Sequence, residues 1–362
     1  MNDASGPATP PRGGLYIPSL NGIRAIAVGI VIVSHSGLGD RVPGGLGVTI
    51  FFLLSGFLIT TLLRREFART GKIKLRDFYL RRALRILPPL YIAVALALGL
   101  FLLRPNHPPI PVPGTLSQAL QVSNYFLIYN TGSQIILPGT GAFWSLAVEE
   151  HFYVIFPLLY VWMVARFRDR GQAVLQLSLC AAALVWRCVL IWHFKVDSLR
   201  TYYATDTRFD SILIGCVFAV IANPVFDDPF FRRLVAHMRW LIPISLSVLV
   251  ATLMYRNDGF RETWRYSLQG LALVPLFIAA IHYPKSAPAR FLNLQFVSFL
   301  GVLSYALYLF HGIFLDFVHE TINVGPLSGG VIAIALTFGA AVGVHYFVEK
   351  PLARIRARHS HT

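Results

Sequence analysis

Long apolar stretches separated by short polar segments are the dominant pattern along this chain. An apolar stretch of about 17–25 residues can cross a bilayer as a single helix. On that basis we place ten spans, at residues 20–37, 46–64, 87–104, 142–165, 174–193, 209–222, 240–255, 267–283, 296–318 and 326–348. The pattern predicts an all-α membrane protein with about ten transmembrane helices in one domain, residues 19–350. A flexible cytoplasmic tail, residues 1–18, and a basic cytoplasmic tail, residues 351–362, are expected to flank it.

The composition favours a lipid environment and argues against a nucleic-acid partner. Hydrophobic residues make up 55% of the 362 residues, and only 14% are charged, against about 25% in soluble proteins. The net charge of +15 is not evenly spread, because nine of the 32 basic residues lie in one interval, Arg64 to Arg85, between two apolar stretches. A basic loop at a membrane surface accounts for that interval better than a nucleic-acid-binding module does.

The distribution of Lys and Arg predicts the orientation, since these residues concentrate in cytoplasmic loops. If the N-terminus is inside, 22 of the 32 basic residues fall in cytoplasmic segments and 8 in outer segments, while Arg24 and Arg187 lie within spans. Ten spans with both termini in the cytoplasm are therefore expected.

Ionisable residues within apolar spans are candidates for function, because a charge at mid-bilayer costs roughly 2.5–3.5 kcal/mol on insertion scales. Arg24 and His35 lie 11 positions apart in the first span. That spacing places them on one helix face, about 16 Å apart along the axis. The predicted orientation puts Arg24 near the cytoplasm and His35 toward the outer half. An Arg reaching the inner interface and a His bound to a backbone carbonyl are the simpler interpretation.

The fourth span contains two adjacent carboxylates in the segment Phe143-Trp-Ser-Leu-Ala-Val-Glu-Glu-His. Neighbouring helical residues point about 100° apart, so either Glu149 or Glu150 can face an interior site. A carboxylate beside an imidazole holds one tautomer and stabilises the protonated ring. Either carboxylate is therefore a candidate partner for His35 or for the arginines, and a structural ion pair between helices is the alternative.

Other polar residues in the spans are candidates to line a substrate site. Tyr305, Tyr308 and His311 form one stripe on the ninth span, which suits either a cavity wall or interhelical hydrogen bonds. Ser55 offers a hydroxyl, but no G-x-S-x-G turn surrounds it, so close packing by Ser55 and Gly56 is favoured over a nucleophile.

Two arginine motifs allow both functional and structural interpretations. Arg82 and Arg85, three positions apart, can share a helix face and bind phosphates, or they can serve only as topology signals. Arg208 lies between Asp206 and Asp210, a pattern that favours a structural ion cluster over a substrate contact.

The order of these motifs resembles that of the acyltransferase-3 family of integral membrane O-acyltransferases. The resemblance covers residues from about 16 to 352. It rests on Arg24-x10-His35, Gly47-Val-Thr-Ile-Phe-Phe-Leu-Leu-Ser-Gly-Phe-Leu-Ile-Thr60, Arg82-Ala-Leu-Arg85-Ile-Leu-Pro88, Phe143-Trp-Ser-Leu-Ala-Val-Glu-Glu150, Thr207-Arg-Phe-Asp210, Ser304-Tyr-Ala-Leu-Tyr and Glu349-Lys-Pro351.

The resemblance implies transfer of an acyl group, acetyl in the first instance, from cytoplasmic acyl-CoA to a hydroxyl of a carbohydrate or glycosylated acceptor. Acyl-CoA would be a co-substrate, and no bound cofactor or metal is expected. His35 and Glu149 are the expected catalytic residues. The expected donor-binding residues are Arg24, Arg82 and Arg85. The expected substrate-binding residues are Glu150, Asn21, Ser55, Trp144, Arg208, Asp210, Tyr305, Tyr308 and His311.

The resemblance further implies a multi-pass protein of the bacterial inner membrane that acts through its membrane part alone, without an extracytoplasmic hydrolase-like domain. O-antigen, exopolysaccharide and other envelope glycans are the expected acceptors. A proton-coupled transporter or flippase is the alternative, because intramembrane His, Glu and Arg also form proton relays.

Overall fold

The computed structural model describes residues 17, 19–39, 41–105, 107–130, 132, 135–322 and 325–358. All regular structure in that part of the chain is helical. The α-helices are α1 Leu20–Val33, α2 Gly44–Thr70, α3 Leu75–Leu102, α4 Val112–Ala119, α5 Ser123–Tyr129, α6 Trp144–Arg166, α7 Asp169–Trp192, α8 Ser198–Tyr203, α9 Thr205–Ile221, α10 Pro229–Ala236, α11 Met238–Met254, α12 Asp258–Glu262, α13 Trp264–His282, α14 Ala287–Leu292, α15 Gln295–Thr321, α16 Pro326–Val344 and α17 Lys350–Arg358.

The predicted tails fall mostly beyond this description. The tail at residues 1–18 lies outside the described residues except for Ile17. At the other end, Lys350–Arg358 is helical and continues from α16 through a π-helical turn, His345–Glu349. The described part of the predicted basic tail is therefore an extension of the last helix.

Eight helices in the described part of the chain are long and apolar enough to cross a bilayer, and the bent pair of α10 and α11 raises the number to nine. The prediction of ten spans is therefore too high by this measure. The bent pair turns by 81° between its two helices. The remaining predicted span, 209–222, coincides with α9, which has only 17 residues. An all-helical, multi-pass membrane protein is confirmed.

The shortness of α9 follows from its place at the centre of the bundle. Thirteen of its 17 residues are buried, and it packs against α2, α7, α6 and α13. A helix that is enclosed on every side needs no long lipid-facing surface. Polar residues near its start, among them Arg208 and Asp210, are accordingly surrounded by protein.

Glycines allow the central helices to touch through their backbones. A Cβ added at Gly56 of α2 would overlap the carbonyl oxygen of Ile212 in α9, and one added at Gly215 of α9 would overlap the carbonyl oxygen of Leu53. Small residues at such crossings permit the close approach on which helix association in membranes depends. The predicted packing role is thus confirmed for Gly56.

α1 and α15 pack side by side and begin at the same end of the bundle. The side-chain amide of Asn21 in α1 donates to Ser298 Oγ in α15 at 3.4 Å. α1 gives way to a π-helical turn, Ser34–Leu38, and Gly37 then adopts a left-handed conformation with φ of 89°. Glycine takes up this conformation without steric cost. His35 therefore lies where α1 breaks.

Replacing Gly56 with Ala is expected to destabilise the protein, because the new methyl group must push α2 away from α9. Overpacking of this kind costs about 1–3 kcal/mol or more. Gly99→Ala in α3 is the matched control, since a Cβ there meets no neighbouring atom within 4 Å. Thermal unfolding of detergent-purified variants should show a lower midpoint for Gly56→Ala alone, and equal midpoints for the two would contradict the described crossing.

Candidate active site

A cavity of about 1060 Å³ opens at the end of the bundle where α1 breaks. His35 from that break, Tyr308 and His311 from α15, and Trp144 from the start of α6 line its wall. These residues come from helices that are distant in sequence, and each was predicted to take part in a site. The structure brings this part of the predicted site together.

The two histidines form a pair. His311 Nε2 lies 3.1 Å from His35 Nδ1, and His311 Nδ1 lies 2.7 Å from the carbonyl oxygen of Tyr308. A carbonyl oxygen can only accept, so His311 Nδ1 carries the proton and its Nε2 is an acceptor in the neutral ring. His35 Nδ1 must then donate to His311 Nε2. This leaves His35 Nε2 unprotonated, as a general base requires.

Tyr308 and a glycine contact fix the start of α6 beside this pair. The Tyr308 hydroxyl lies 2.6 Å from Ser145 Oγ and 3.2 Å from the carbonyl oxygen of Ala142. Gly139, with φ of 73°, touches the backbone of Gly312 so closely that a Cβ at either glycine would overlap the other's carbonyl oxygen. The segment that leads into α6 is thereby held against the turn that carries His311.

Three aromatic rings form a wall of the cavity. The ring of Trp144 lies 4.8 Å from that of Tyr202 and 5.0 Å from that of Tyr203, measured between centroids. All three residues line the cavity. We call Trp144, Tyr202 and Tyr203 the aromatic wall. The rings of Tyr202 and Tyr203 are tilted by 49° and 37° to that of Trp144, and aromatic rings pack well against the C–H groups of a ligand.

Glu149 belongs to a different group of residues, deeper in the bundle. Its Oε1 accepts hydrogen bonds from the hydroxyls of Ser55 in α2 and Tyr153 one turn along α6. Arg82 of α3 lies 3.5 Å from the same oxygen, and its guanidinium carbon is 3.3 Å from the centroid of the Tyr153 ring. Glu149 thus joins three helices and anchors Arg82.

Arg24 and Arg85 lie next to this anchor. Arg24 interacts electrostatically with Arg85, Arg82 and Glu149, and its guanidinium lies 3.5 Å from Asn21 Oδ1. We call Arg24, Arg82, Arg85 and Glu149 the basic cluster. Of the three arginines only Arg82 forms an ion pair with a carboxylate among the described residues, while Glu150 and Glu349 act on Arg85 electrostatically from a greater distance. The arginines can therefore bind an anionic ligand.

Glu150 and Tyr305 border the basic cluster. Both are half-buried, Glu150 interacts electrostatically with Arg82 and Arg85, and the Tyr305 hydroxyl donates to the carbonyl oxygen of Ile86 at 2.9 Å. The predicted polar stripe of α15 is therefore divided. Tyr308 and His311 face the cavity, whereas Tyr305 ties α15 to α3.

The expected pairing of Glu149 with His35 is replaced by other contacts. His35 pairs with His311, and Glu149 accepts from Ser55 and Tyr153. Trp144 lines the cavity, and Glu149 lies five residues further along α6, about 7.5 Å along the axis. The rise of α6 therefore carries Glu149 toward Arg82 and away from the imidazole that it was predicted to orient.

The aspartates of the Asp206-Thr-Arg-Phe-Asp210 segment bind arginines other than Arg208. Asp210 makes a double hydrogen bond with Arg187 at 2.8 and 2.9 Å, with both side chains fully buried. Asp206 binds Arg200 and the indole of Trp186. Arg208 is fully buried among aromatic rings. The predicted ion cluster around Arg208 is therefore wrong, and Asp210 lies in a structural ion pair.

Several residues of the site were not predicted. Ser145, Tyr202, Tyr203 and the glycine pair give no charge signal, because they are common residues in or beside apolar segments. Tyr153 alone could have been found, since it follows Glu149 by four positions and so shares its helix face.

Comparison with known proteins shows the family to which the chain belongs. The sequence profile of a family described as an acyltransferase domain matches residues 17–346. The chain belongs to the acyltransferase-3 family. The O-acetyltransferases OatA of Staphylococcus aureus strains NCTC 8325, COL and MRSA252 are each 32% identical to it over 351 residues. The match covers 94% of this acyltransferase-3 chain but only 57% of each relative's length. No solved structure matches the chain.

The buried Arg187–Asp210 pair predicts a structural role for Asp210 that measurements of stability can test. Arg187→Gln leaves the Asp210 carboxylate buried without its counter-ion, which is expected to cost about 3–5 kcal/mol. The double variant Arg187→Met/Asp210→Leu should regain most of that stability, because both charges are gone. Chemical unfolding of the purified variants measures both effects. A stable Arg187→Gln protein would contradict the structural role.

Proposed function

We propose that this chain is a membrane O-acyltransferase that transfers an acyl group, acetyl in the first instance, from acyl-CoA to a hydroxyl of a carbohydrate acceptor. The observation that carries the proposal is the His35–His311 pair, whose hydrogen bonds leave His35 Nε2 free to accept a proton in the cavity. Membership of the acyltransferase-3 family supports the reaction class. The three OatA relatives, which are O-acetyltransferases by name, support the acetyl group.

The proposed orientation places the basic cluster on the cytoplasmic side of the bacterial inner membrane and the cavity on the outer side. The nine basic residues from Arg64 to Arg85 then lie at the cytoplasmic side, in the last turns of α2, the loop after it and the first turns of α3, as the charge asymmetry requires. Under this orientation both termini are cytoplasmic, and all ten predicted segments, including the short α9, contribute to the passage of the chain through the membrane.

The basic cluster is proposed to bind the phosphates of acyl-CoA. Arg82 Nε is buried without a hydrogen-bond partner among the described residues. Arg24 and Arg85 lie close enough to repel each other electrostatically, and an anion would relieve that repulsion. Arginine suits phosphate because its planar fork can donate two parallel hydrogen bonds. Glu149, with Ser55 and Tyr153, positions Arg82 for this task, and Glu150 lies beside it.

The distance between the two ends of the site suits the length of the donor. Arg24 and His35 are 11 residues apart, which corresponds to about 16 Å along α1. An extended pantetheine arm has about this reach. Phosphates held at the basic cluster would therefore place the thioester near His35, where the acceptor enters from the other side.

His35 is the proposed general base. Its Nε2 takes the proton from the acceptor hydroxyl while the hydroxyl oxygen attacks the thioester carbonyl carbon. The carbon–sulfur bond then breaks, and the proton passes from His35 to the departing CoA thiolate. His311 keeps His35 in the reactive tautomer and accepts a hydrogen bond from the protonated ring. In this mechanism His311 performs the role that the sequence had suggested for Glu149.

The acceptor is proposed to be a glycan or another glycosylated molecule, such as O-antigen, exopolysaccharide or a different envelope glycan. The aromatic wall supports this, because the C–H face of a pyranose ring packs well against aromatic rings. Tyr308 places Trp144 in that wall through its bond to Ser145. Asn21 and Tyr305 are proposed to act indirectly, by holding α15 against α1 and α3.

Removal of the His35 imidazole should abolish turnover. General-base catalysis contributes about 10²–10⁴-fold to rate, so His35→Ala is expected to lower kcat by at least that range with purified protein and radiolabelled acetyl-CoA. His311→Ala should lower kcat less, because the base remains but loses its fixed tautomer. His237→Ala, at an exposed position outside the cavity, is the control and should behave as wild type. Turnover retained by His35→Ala would remove this mechanism.

The orientation predicts opposite labelling of two exposed loop positions. Lys72→Cys and Asn130→Cys, in a protein whose three native cysteines are replaced, place single thiols at exposed positions before α3 and after α5. A membrane-impermeant maleimide added to intact spheroplasts should label Asn130→Cys and leave Lys72→Cys unlabelled until the membrane is broken. The reverse result would invert the proposed topology.

A further inference from the structure

Arg208 carries a buried positive charge, and no carboxylate of the described residues forms an ion pair with it. The side chain is fully buried, and its Nε and Nη2 atoms have no hydrogen-bond partner among the described residues. Its Nη1 reaches only the carbonyl oxygen of Tyr202, at 3.5 Å. Buried charges in proteins are almost always paired. Two unused donors on a buried guanidinium therefore point to a ligand.

The carboxylates around Arg208 are already bound to other groups. Asp206 accepts from Arg200 and Trp186, and Asp210 accepts from Arg187 and Ser267. The next carboxylate, Glu262, accepts from Thr201 and Tyr266 and lies 4.0 Å from Arg265.

Aromatic rings surround the guanidinium instead. Its central carbon lies 3.9 Å from the centroid of Tyr266, 5.2 Å from Tyr202, 5.6 Å from Phe52 and 5.7 Å from Trp144. Ring faces offset part of the cost of the buried charge, but they do not satisfy its N–H donors.

Two of these rings connect Arg208 to the cavity. Trp144 and Tyr202 line the cavity and also face the guanidinium. The guanidinium therefore lies directly behind the aromatic wall, on which a sugar is proposed to pack. It lies on the His35 side of the bundle, since Arg208 is in the first turn of α9, beside the start of α6.

We propose that Arg208 binds an anionic oxygen group, a carboxylate or a phosphate, on the sugar acceptor, and thus that the acceptor is an acidic glycan. This inference rests on the proposed function, which places the acceptor in the cavity. Displacement of the Tyr202 or Trp144 ring would open a path from the cavity to the guanidinium, whose fork geometry matches either group. The donor phosphates have their own cations in the basic cluster, which leaves Arg208 for the acceptor.

Three monosaccharides that differ only at C6 test this inference by binding alone. Glucuronate, glucose 6-phosphate and glucose are titrated against detergent-purified full-length protein, with the thermal-unfolding midpoint as the readout. Wild type should bind each of the two anionic sugars about 10-fold or more tightly than glucose, the effect expected for a hydrogen bond to a charged group. Arg208→Gln should bind all three equally. Equal binding of the three sugars by wild type would overturn the inference.

Two further variants test whether the preference depends on the guanidinium group itself, on positive charge alone or on a change in folding. Arg208→Lys keeps the charge without the fork, so it should retain only part of the preference for anionic sugars, and it serves as the test if Arg208→Gln does not accumulate. Arg200→Gln removes a paired arginine near the same end of α9 and should keep the full preference. A preference that survives in Arg208→Gln, or that is lost equally in Arg200→Gln, would contradict the assignment.

Titration with coenzyme A distinguishes acceptor from donor as the source of the anion. Arg208→Gln should bind coenzyme A as wild type does, and a loss confined to coenzyme A would assign Arg208 to the donor and overturn the inference. The proposed function and the assignment of Arg208 can be rejected independently of each other. Acyl transfer without a preference for acidic sugars would reject only the Arg208 assignment, whereas an Arg208-dependent preference without acyl transfer would reject only the reaction.

Discussion

A polar side chain inside a bilayer has no water to solvate it, and this constraint organises the bundle. An ionisable group in an apolar helix therefore needs a partner, which the protein or a ligand supplies. Glu149 finds Ser55 and Arg82 on two other helices, and His35 finds His311 on α15, 276 residues away. The contacts that satisfy these groups also draw the helices together, so the packing of the bundle and the assembly of the site have one cause.

The constraint produces two centres joined by one helix. α1 carries Arg24 into the basic cluster at its start and His35 into the cavity at its end. The left-handed Gly37 ends the helix just after His35, which exposes the imidazole at the cavity wall. A donor with phosphates at one end and a reactive thioester at the other matches this arrangement, and α1 sets the distance between its two binding points.

Local periodicity was enough to predict most of the helices and the common face of Arg24 and His35. It could not predict partners, because these depend on how distant helices meet. Glu149 was expected to bind His35, yet the rise of α6 places it further from the cavity along the helix axis, beside Arg82. The same limit applies to α9, whose apolar stretch resembles a span, although its burial on all sides allows it to be shorter.

Sidedness of the reaction is the most direct test of a site with two ends. Purified protein is reconstituted in vesicles that contain a glycan acceptor in the lumen. Acetyl-CoA is then added outside, where it reaches only protein molecules whose basic cluster faces outward. The account predicts acetylated acceptor in the lumen, formed only when the donor is outside and lost in His35→Ala. Acetylation only when donor and acceptor are on the same side would contradict it.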